Sequence, residues 1–180
     1  METFFTSDQH FGHANIIKYC NRPFSTVEEM NETLIENHNK MVTNNDIVYH
    51  LGDFSFKSDP SKWLSRLNGK THILIIGNHD YHCVTTLIYS FDAVHEVKMI
   101  KVCSDSIFLS HYAHLVWPQK HYGVYHLFGH SHGTLKGELG SLDCGVDSHG
   151  FMPIPWEDLK DVIDNEKSMV IDNEKAMVND

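Results

Sequence analysis

The sequence predicts an α/β fold with the strands in the centre and the helices outside. Its apolar segments follow the order strand, helix, strand, helix, strand in the first half, and strands predominate in the second half. Five of the strand-like runs end in a short group rich in His, Asp or Asn. A length of 180 residues suits one domain with a sizeable core. We therefore expect a single domain over residues 1–160 and an acidic tail over residues 161–180.

The first half of the chain alternates between predicted strands and helices. Ser25 and Glu28 form a predicted capping box at the start of a long amphipathic helix, in which the Ser25 side chain accepts a backbone hydrogen bond. The remaining boundaries follow from apolar periodicity and from turn residues. The predicted elements are strands at 2–7, 47–51 and 71–76, a helical stretch after residue 13, and helices ending near 43 and covering 60–67 and about 81–89.

The second half is predicted to be mostly extended. Residues 93–102 and 106–110 resemble a β-hairpin, and strands are expected at 124–128 and 138–143 before a last helix near Pro155. The tail contains an almost perfect tandem octapeptide, because residues 162–169 are followed by a near copy at 170–177. Two copies of eight residues are too short for a solenoid, and we expect no catalytic role for them.

Composition and charge limit the classes of function. The net charge of −10 argues against non-specific binding to duplex nucleic acid, which needs a basic surface. It is compatible with a phosphate substrate if bound cations supply positive charge locally. Four separated cysteines, a start unlike a signal peptide and the lack of a long apolar run predict a cytoplasmic protein without a membrane partner.

The groups at the strand ends have the chemistry of metal ligands. Loops at the carboxyl ends of strands are where open α/β sheets build their sites. Imidazole, carboxylate and amide groups suit Mn, Fe, Zn, Co or Ni, and there are enough of them here for two ions. Glycines directly before several of these groups permit a close approach of the backbone. In chain order the groups are Asp8-Gln9-His10, Gly52-Asp53, Gly77-Asn78-His79-Asp80, His111 and Gly129-His130-Ser131-His132.

This ordered set of motifs, D-x-H, G-D, G-N-H-D, H and G-H-S-H, resembles that of the calcineurin-like metallophosphoesterases, in particular their small bacterial and phage members. The resemblance covers roughly residues 4–133. It implies a four-layer α/β/β/α sandwich of two packed mixed sheets flanked by helices. One departure is Ser58, which stands where many members have a glycine after the G-D motif. The altered loop bears on the substrate rather than on the metal ligands.

The resemblance also implies a role for each motif residue. His79 would face the substrate as a phosphate clamp or general acid, and Asp53 would bridge two divalent ions. Manganese is the expected metal, with iron, zinc, nickel and cobalt as alternatives. The first ion would be held by Asp8, His10 and His132, and the second would be completed by Asn78, His111 and His130.

The implied activity is that of a metal-dependent phosphoric ester hydrolase. A hydroxide held between two ions attacks phosphorus in this chemistry. We expect a phosphodiesterase acting on a small, phosphorylated, nucleotide-like substrate, since a chain of this size leaves little room for a cap domain. The alternatives are a nucleotide phosphomonoesterase or pyrophosphohydrolase, a nuclease, and a non-catalytic scaffold of the same fold.

Several other polar residues are candidates for substrate contact or for support of the site. Arg22 could bind a phosphate through two hydrogen bonds from its planar guanidinium group, although a structural role at a helix end is equally open. His13, His82 and His114 each lie three residues after a motif histidine and could line the same mouth, or could be exposed loop residues. Asp80 could orient His79 or its loop. Asp143 and Asp147 are expected to be structural.

Overall fold

Two β-sheets pack face to face at the centre of the molecule. The computed structural model describes residues 1–178, with the side chains of all of these except residues 83, 84 and 174–178. In the first sheet four strands run parallel, and the last strand pairs antiparallel with the first. Its strands are β1 (Thr3–Thr6), β2 (Ile47–His50), β3 (Thr71–Ile75), β4 (Ala93–His95) and β9 (Ile154–Pro155), in the spatial order β4-β3-β2-β1-β9.

The second sheet contains four strands in sequential order. The first two form an antiparallel hairpin, and the other pairs are parallel. The strands are β5 (Val97–Val102), β6 (Asp105–Ser110), β7 (Tyr125–Phe128) and β8 (Ser141–Asp143). Two mixed sheets with helices around them confirm the predicted fold class.

The prediction of one strand over residues 93–102 is wrong. The segment contains β4, which pairs with β3, and β5, which pairs with β6 in the other sheet. Only Glu96 separates the two strands, so the chain passes from one sheet to the other within a continuous extended run. An apolar pattern cannot reveal this crossing because it records which residues are buried and not which strand they pair with.

Within residues 1–178, five helices and three short 3-10 turns complete the fold. The 3-10 turns are Asp80–Cys83, Lys120–Tyr122 and Val146–Ser148. Among the described residues, we find no helix that combines the length and the apolar character needed to cross a membrane. The helices are α1 (Ile16–Tyr19), α2 (Val27–Met41), α3 (Pro60–Leu64), α4 (Val84–Ser90) and α5 (Trp156–Val178).

The start of α2 lies one residue later than the capping-box prediction. Thr26, not Ser25, is the N-cap, and its side chain accepts a hydrogen bond from the backbone N–H of Glu29 at 3.1 Å. The Glu29 carboxylate reaches back and accepts from the backbone N–H of Ser25 at 2.7 Å. The sequence Ser25-Thr26-Val27-Glu28-Glu29 fits a capping box in either register, and the structure adopts the second.

The largest core cluster lies between the two sheets. Phe5, Tyr49 and Ile73 of the first sheet share it with Ile107 and Leu127 of the second. A second cluster packs the helices against the other face of the first sheet, and a third covers the outer face of the second sheet with Trp117 and Val124. Each sheet therefore buries apolar side chains on both faces.

Helix α5 closes one side of the sandwich. Trp156, Leu159 and Ile163 enter the cluster between the sheets. The Trp156 indole N–H donates to Asp105 at 3.0 Å, and Tyr125 donates to Asp164 at 3.0 Å. The helix continues without a break across position 160, so that the first copy of the octapeptide packs against the domain.

Candidate metal centre

The motif residues meet because they all follow parallel strands. The strands β1, β2 and β3 of the first sheet and β6 and β7 of the second end at the same edge of the sandwich. Backbone hydrogen bonds tie their loops together, from Asp8 N–H to the Gly52 carbonyl at 3.0 Å and from Gly129 N–H to the His111 carbonyl at 2.9 Å. The order of the motifs in the chain thus becomes proximity in space.

The seven predicted metal ligands converge at this edge in two groups around Asp53. The ligand atoms of Asp8, His10 and His132 lie within 4.8 Å of one another, and so do those of Asp53, His111 and His130. Asp53 Oδ2 lies 3.5 Å from His10 Nε2 and 3.6 Å from His111 Nε2, so it stands between the groups. The side chain of Asn78 joins the second group.

His111 is oriented with one ring nitrogen toward the second group. Its Nδ1 donates to the Leu51 carbonyl at 2.7 Å, so that in the neutral ring Nε2 carries a lone pair. That nitrogen lies 3.1 Å from Asn78 Oδ1, which is also an acceptor. A cation between the two atoms would satisfy both lone pairs.

Buried polar atoms without partners mark the position of the first group. Asp8 Oδ1 and both ring nitrogens of His10 have no hydrogen-bond partner among the described residues. Burial raises the pKa of Asp8 to about 7 and lowers the pKa of His10 well below its ordinary value. Unpaired buried polar groups are rare, and a carboxylate facing neutral imidazoles is the environment that a divalent ion stabilises. The donor set therefore fits divalent metal ions.

Five of the seven predicted ligands have left-handed backbone conformations. Their φ angles lie between 48° and 66°, a region that side chains other than glycine rarely adopt. Such conformations cost about 1–3 kcal/mol each and cluster at functional sites. The surrounding loops must therefore be held firmly enough to maintain them. The five residues are Asp8, His10, Asp53, His130 and His132.

Two glycines allow the loops to touch. A Cβ atom on Gly77 would collide with the carboxylate and backbone of Asp53, and one on Gly129 would collide with the side chains of Ser7 and Asp8. From the motifs we expect these glycines to permit close approach of the backbone to the ions, and what the structure shows is close approach between the loops themselves.

The comparisons with known proteins give one partial sequence match of high identity. We find no family model that matches the chain. An uncharacterized protein of Methanocaldococcus jannaschii is 58% identical over 78 residues, which are 41% of this chain and 44% of that protein. The chain spans less than half the length of the curated relatives it matches.

Solved structures give matches over most of the chain. A protein of unknown function from Aquifex aeolicus aligns with a TM-score of 0.74 and 24% identity over 89% of this chain and 98% of its own. An archaeal phosphodiesterase aligns with a TM-score of 0.47 and 19% identity over 81% of this chain and 82% of its own. The first likeness shows that the two proteins share a fold. The ordered motifs resemble those of the calcineurin-like metallophosphoesterases, and the two-sheet fold is consistent with that resemblance.

Three acidic residues outside the predicted ligand set support the loops of the site, in line with the structural roles expected of them. Asp80 accepts hydrogen bonds from the backbone N–H groups of Asp53, Phe54 and Gly77 at 2.8–3.1 Å, so it supports the loops rather than His79 alone. Asp143 accepts from the Ser131 hydroxyl and from Gly133 N–H, which shapes the G-H-S-H loop. The geometry of these loops depends on carboxylates that lie outside the recognised ligands.

Asp147 is the third such residue, and no motif points to it. Its Oδ2 accepts from His132 Nδ1 at 2.7 Å and leaves Nε2 to face the first group. Burial lowers the pKa of His132, but the hydrogen bond to Asp147 and the charge of Asp8 outweigh this, and the pKa is raised. Cys20 lies beside the pair, and burial raises the pKa of its thiol to about 11.

The predicted contact between Arg22 and substrate does not fit its position. The side chain is fully buried and forms a bidentate pair with Asp147, both contacts at 2.8 Å. Its remaining donors bond the backbone carbonyls of Asp8 and Gln9 at 2.7 and 3.1 Å. A guanidinium fork matches a carboxylate as well as a phosphate, and here it binds the carboxylate.

The three additional histidines lie in different places. His13 lines the cavity that opens over the candidate metal centre, which has a volume of about 470 Å³. His114 packs against the rings of Phe108 and His126, at 5.2 and 5.5 Å, and is not among the residues that line this cavity. His82 is exposed and lines a neighbouring groove with Lys57. Only His13 keeps the predicted position at the mouth.

Proposed function

We propose that this protein is a dinuclear metal-dependent phosphodiesterase that hydrolyses small nucleotide-like phosphodiesters, with Mn²⁺ as the preferred metal. The observation that carries this proposal is the convergence of imidazole, carboxylate and amide groups from five strand ends around the Asp53 carboxylate. Two of these residues, Asp8 and His10, have buried polar atoms without a partner among the described residues, as expected of ligands that lack their ion.

The chemistry expected of this site divides between the ions and the protein. When bound, two divalent ions supply a hydroxide nucleophile at neutral pH and neutralise charge on the phosphate oxygens. Asp53 would bridge the ions. The other ligands would divide as their positions suggest, with Asp8, His10 and His132 on one ion and Asn78, His111 and His130 on the other.

His79 is the candidate for direct action on the substrate. Its side chain is 34% exposed, lines the cavity, and has Nε2 3.9 Å from Asp53 Oδ2. Its backbone N–H donates to Asp53 Oδ1 at 2.8 Å, which holds the residue in register with the ligands. An imidazole at this position can hold a phosphate oxygen or give its proton to the leaving oxygen.

The charge of the cavity wall supports a diester rather than a monoester. Among the described residues that line the cavity there is no Lys or Arg. A phosphomonoester carries nearly two negative charges at neutral pH and usually binds to such cationic side chains. A phosphodiester carries one charge, which the metal ions can neutralise without further cations.

The test is hydrolysis of bis-p-nitrophenyl phosphate by metal-stripped protein titrated with Mn²⁺. We expect turnover to saturate near two ions per chain and to exceed the rate with p-nitrophenyl phosphate. His79→Ala should lower kcat by ~10²-fold or more. Asp53→Asn should lose one ion or nearly all activity. The matched control is His121→Ala, a change to an exposed histidine that does not line the cavity.

Three results would contradict the proposal. Failure to bind Mn²⁺ stoichiometrically would remove the metal centre. Two bound ions without turnover of either ester would favour a non-catalytic scaffold of the same fold. A fully active Asp53→Asn protein with two bound ions would exclude Asp53 as the bridge.

A further inference from the structure

The cavity extends well beyond the candidate metal centre. Its volume of about 470 Å³ lies in the range of ~300–1,000 Å³ that is usual for small-molecule sites. One end is formed by the ligands and His79. The other end is formed by α1 and the residues after it, with Ile16, Tyr19 and Asn21 in its wall. A phosphate group at the ligands would leave this second end unfilled.

The wall at the second end is aromatic. Tyr19 lies at the end of α1 and is 72% exposed, although most of its surface is apolar. Its ring centre is 6.2 Å from that of His13, and the two planes are nearly perpendicular at 76°. His13 also stacks on Phe56, with ring centres 3.9 Å apart, and this contact holds the His13 ring in place. The rings of Tyr19 and His13 both line the cavity, and another flat group can pack against them.

His13 is a largely buried part of this wall. The residue is 7% exposed, and its Nδ1 has no hydrogen-bond partner among the described residues. Thr134 and Asn21 line the same cavity and add a hydroxyl and an amide. The wall therefore combines apolar rings with a few polar atoms, as ligand sites do.

We propose that Tyr19, His13 and Ile16 bind a planar aromatic group of the substrate, such as a nucleobase or an aryl ring. The proposal rests on the phosphodiesterase function and makes its substrate class narrower. The flat group packs on Tyr19, and the Asn21 amide and the Thr134 hydroxyl, which line the same cavity, are the polar groups available to its edge. Phosphodiesters of aromatic or nucleoside alcohols are then bound more tightly than those of simple alkyl alcohols.

The test compares two diesters that share a leaving group, phenyl p-nitrophenyl phosphate and methyl p-nitrophenyl phosphate. The phenyl ester should have the lower KM. Tyr19→Ala should lower the ratio of the methyl ester's KM to the phenyl ester's KM by about tenfold. A loss of this size lies within the range known for base–aromatic stacking. Tyr89→Ala, a change to a tyrosine that is 86% exposed on α4, should leave the ratio and the rates unaltered.

A binding measurement separates this inference from the proposed activity. Phenylphosphonate and methylphosphonate, which are not hydrolysed, are titrated calorimetrically into the Mn²⁺-loaded protein. A preference for the phenyl compound that Tyr19→Ala abolishes supports the aromatic site even if no ester is turned over. Equal affinity for the two phosphonates, or a KM ratio that Tyr19→Ala does not change, overturns it even if the protein proves to be a phosphodiesterase.

Discussion

Arg22 lies beneath the candidate metal centre and connects three segments of the chain. It pairs with Asp147 of the Val146–Ser148 turn and donates to the backbone carbonyls of Asp8 and Gln9 after β1. Asp147 in turn holds Nδ1 of His132. The loops that carry Asp8 and His132 are therefore joined through one buried cation that does not line the cavity.

Removal of that cation should destabilise the protein strongly. Arg22→Met leaves Asp147 as a buried carboxylate without its main partner, and such a change costs about 3–5 kcal/mol. Urea denaturation measures the loss. The control is Arg66→Met, which breaks a pair with Glu32 that is largely exposed and is expected to cost at most ~1 kcal/mol. A raised KM with unchanged stability in Arg22→Met would instead indicate a substrate contact.

The convergence of the predicted ligands could be expected from the sequence, whereas most of the residues that support them could not. Each ligand stands next to an apolar strand-like run, and that local pattern is visible in the chain. Asp147 contacts His132 across 15 positions from a short 3-10 turn, without any flanking motif. The left-handed conformations at His130 and His132 also cannot be predicted from the sequence, because His adopts this conformation far less often than Gly does.

At the level of single elements, the residue that caps the start of α2 distinguishes the two possible registers of the capping box. Thr26→Ala removes the side-chain oxygen that accepts from Glu29 N–H and should cost about 1 kcal/mol. Ser25→Ala should have almost no effect, since Ser25 contributes its backbone N–H and not its hydroxyl. Urea denaturation of both variants measures the difference. If Ser25→Ala were the more destabilising variant, Ser25 would be the N-cap, as predicted from the sequence.

Element positions were predicted to within a few residues, but their partners were not. The strand predicted at 71–76 is Thr71–Ile75, and the helix predicted at 60–67 is Pro60–Leu64. The division of residues 93–102 between β4 and β5 depends on contacts with β3 and β6, which are distant in the chain. Local patterns carry burial and turn chemistry, while pairing is decided by tertiary packing.

On the scale of the whole molecule, a row of buried histidines packs α2 against the first sheet. The ring of His38 in α2 lies 6.3 Å from that of His50 in β2 and 6.0 Å from that of His72 in β3. Burial lowers the pKa of all three, in the case of His38 to about 4. The folded protein thus keeps these rings neutral where the unfolded chain would protonate them.

This difference makes the free energy of unfolding depend on pH. Because the pKa of His38 falls from 6.5 to about 4 on folding, its stabilising effect is complete above pH 6.5. It is lost progressively as the pH falls toward 4, since the unfolded state then binds more protons. Between pH 7.5 and pH 5 we expect a loss of about 2 kcal/mol from His38 alone, with further losses from His50 and His72.

Urea denaturation in the presence of a chelator at pH 7.5 and pH 5 tests this expectation. His38→Gln is the informative variant, because glutamine does not titrate and retains an N–H group for the Asn68 carbonyl. Its stability should fall less than that of the wild type over the same interval. Equal losses in the two proteins would show that His38 does not contribute to the acid sensitivity.

The tandem octapeptide lies within α5 and places equivalent residues of its two copies in different surroundings, in spite of their shared sequence. Eight residues advance a helix by about 12 Å and turn it by about 80° beyond two full turns, so equivalent side chains do not point the same way. Ile163 is completely buried between the sheets, whereas its counterpart Ile171 is 47% exposed. In a disordered segment the copied side chains have no fixed orientation. In a helix the repeat places them on a different face. Ile171 therefore repeats the identity of Ile163 without the packing partners that bury Ile163.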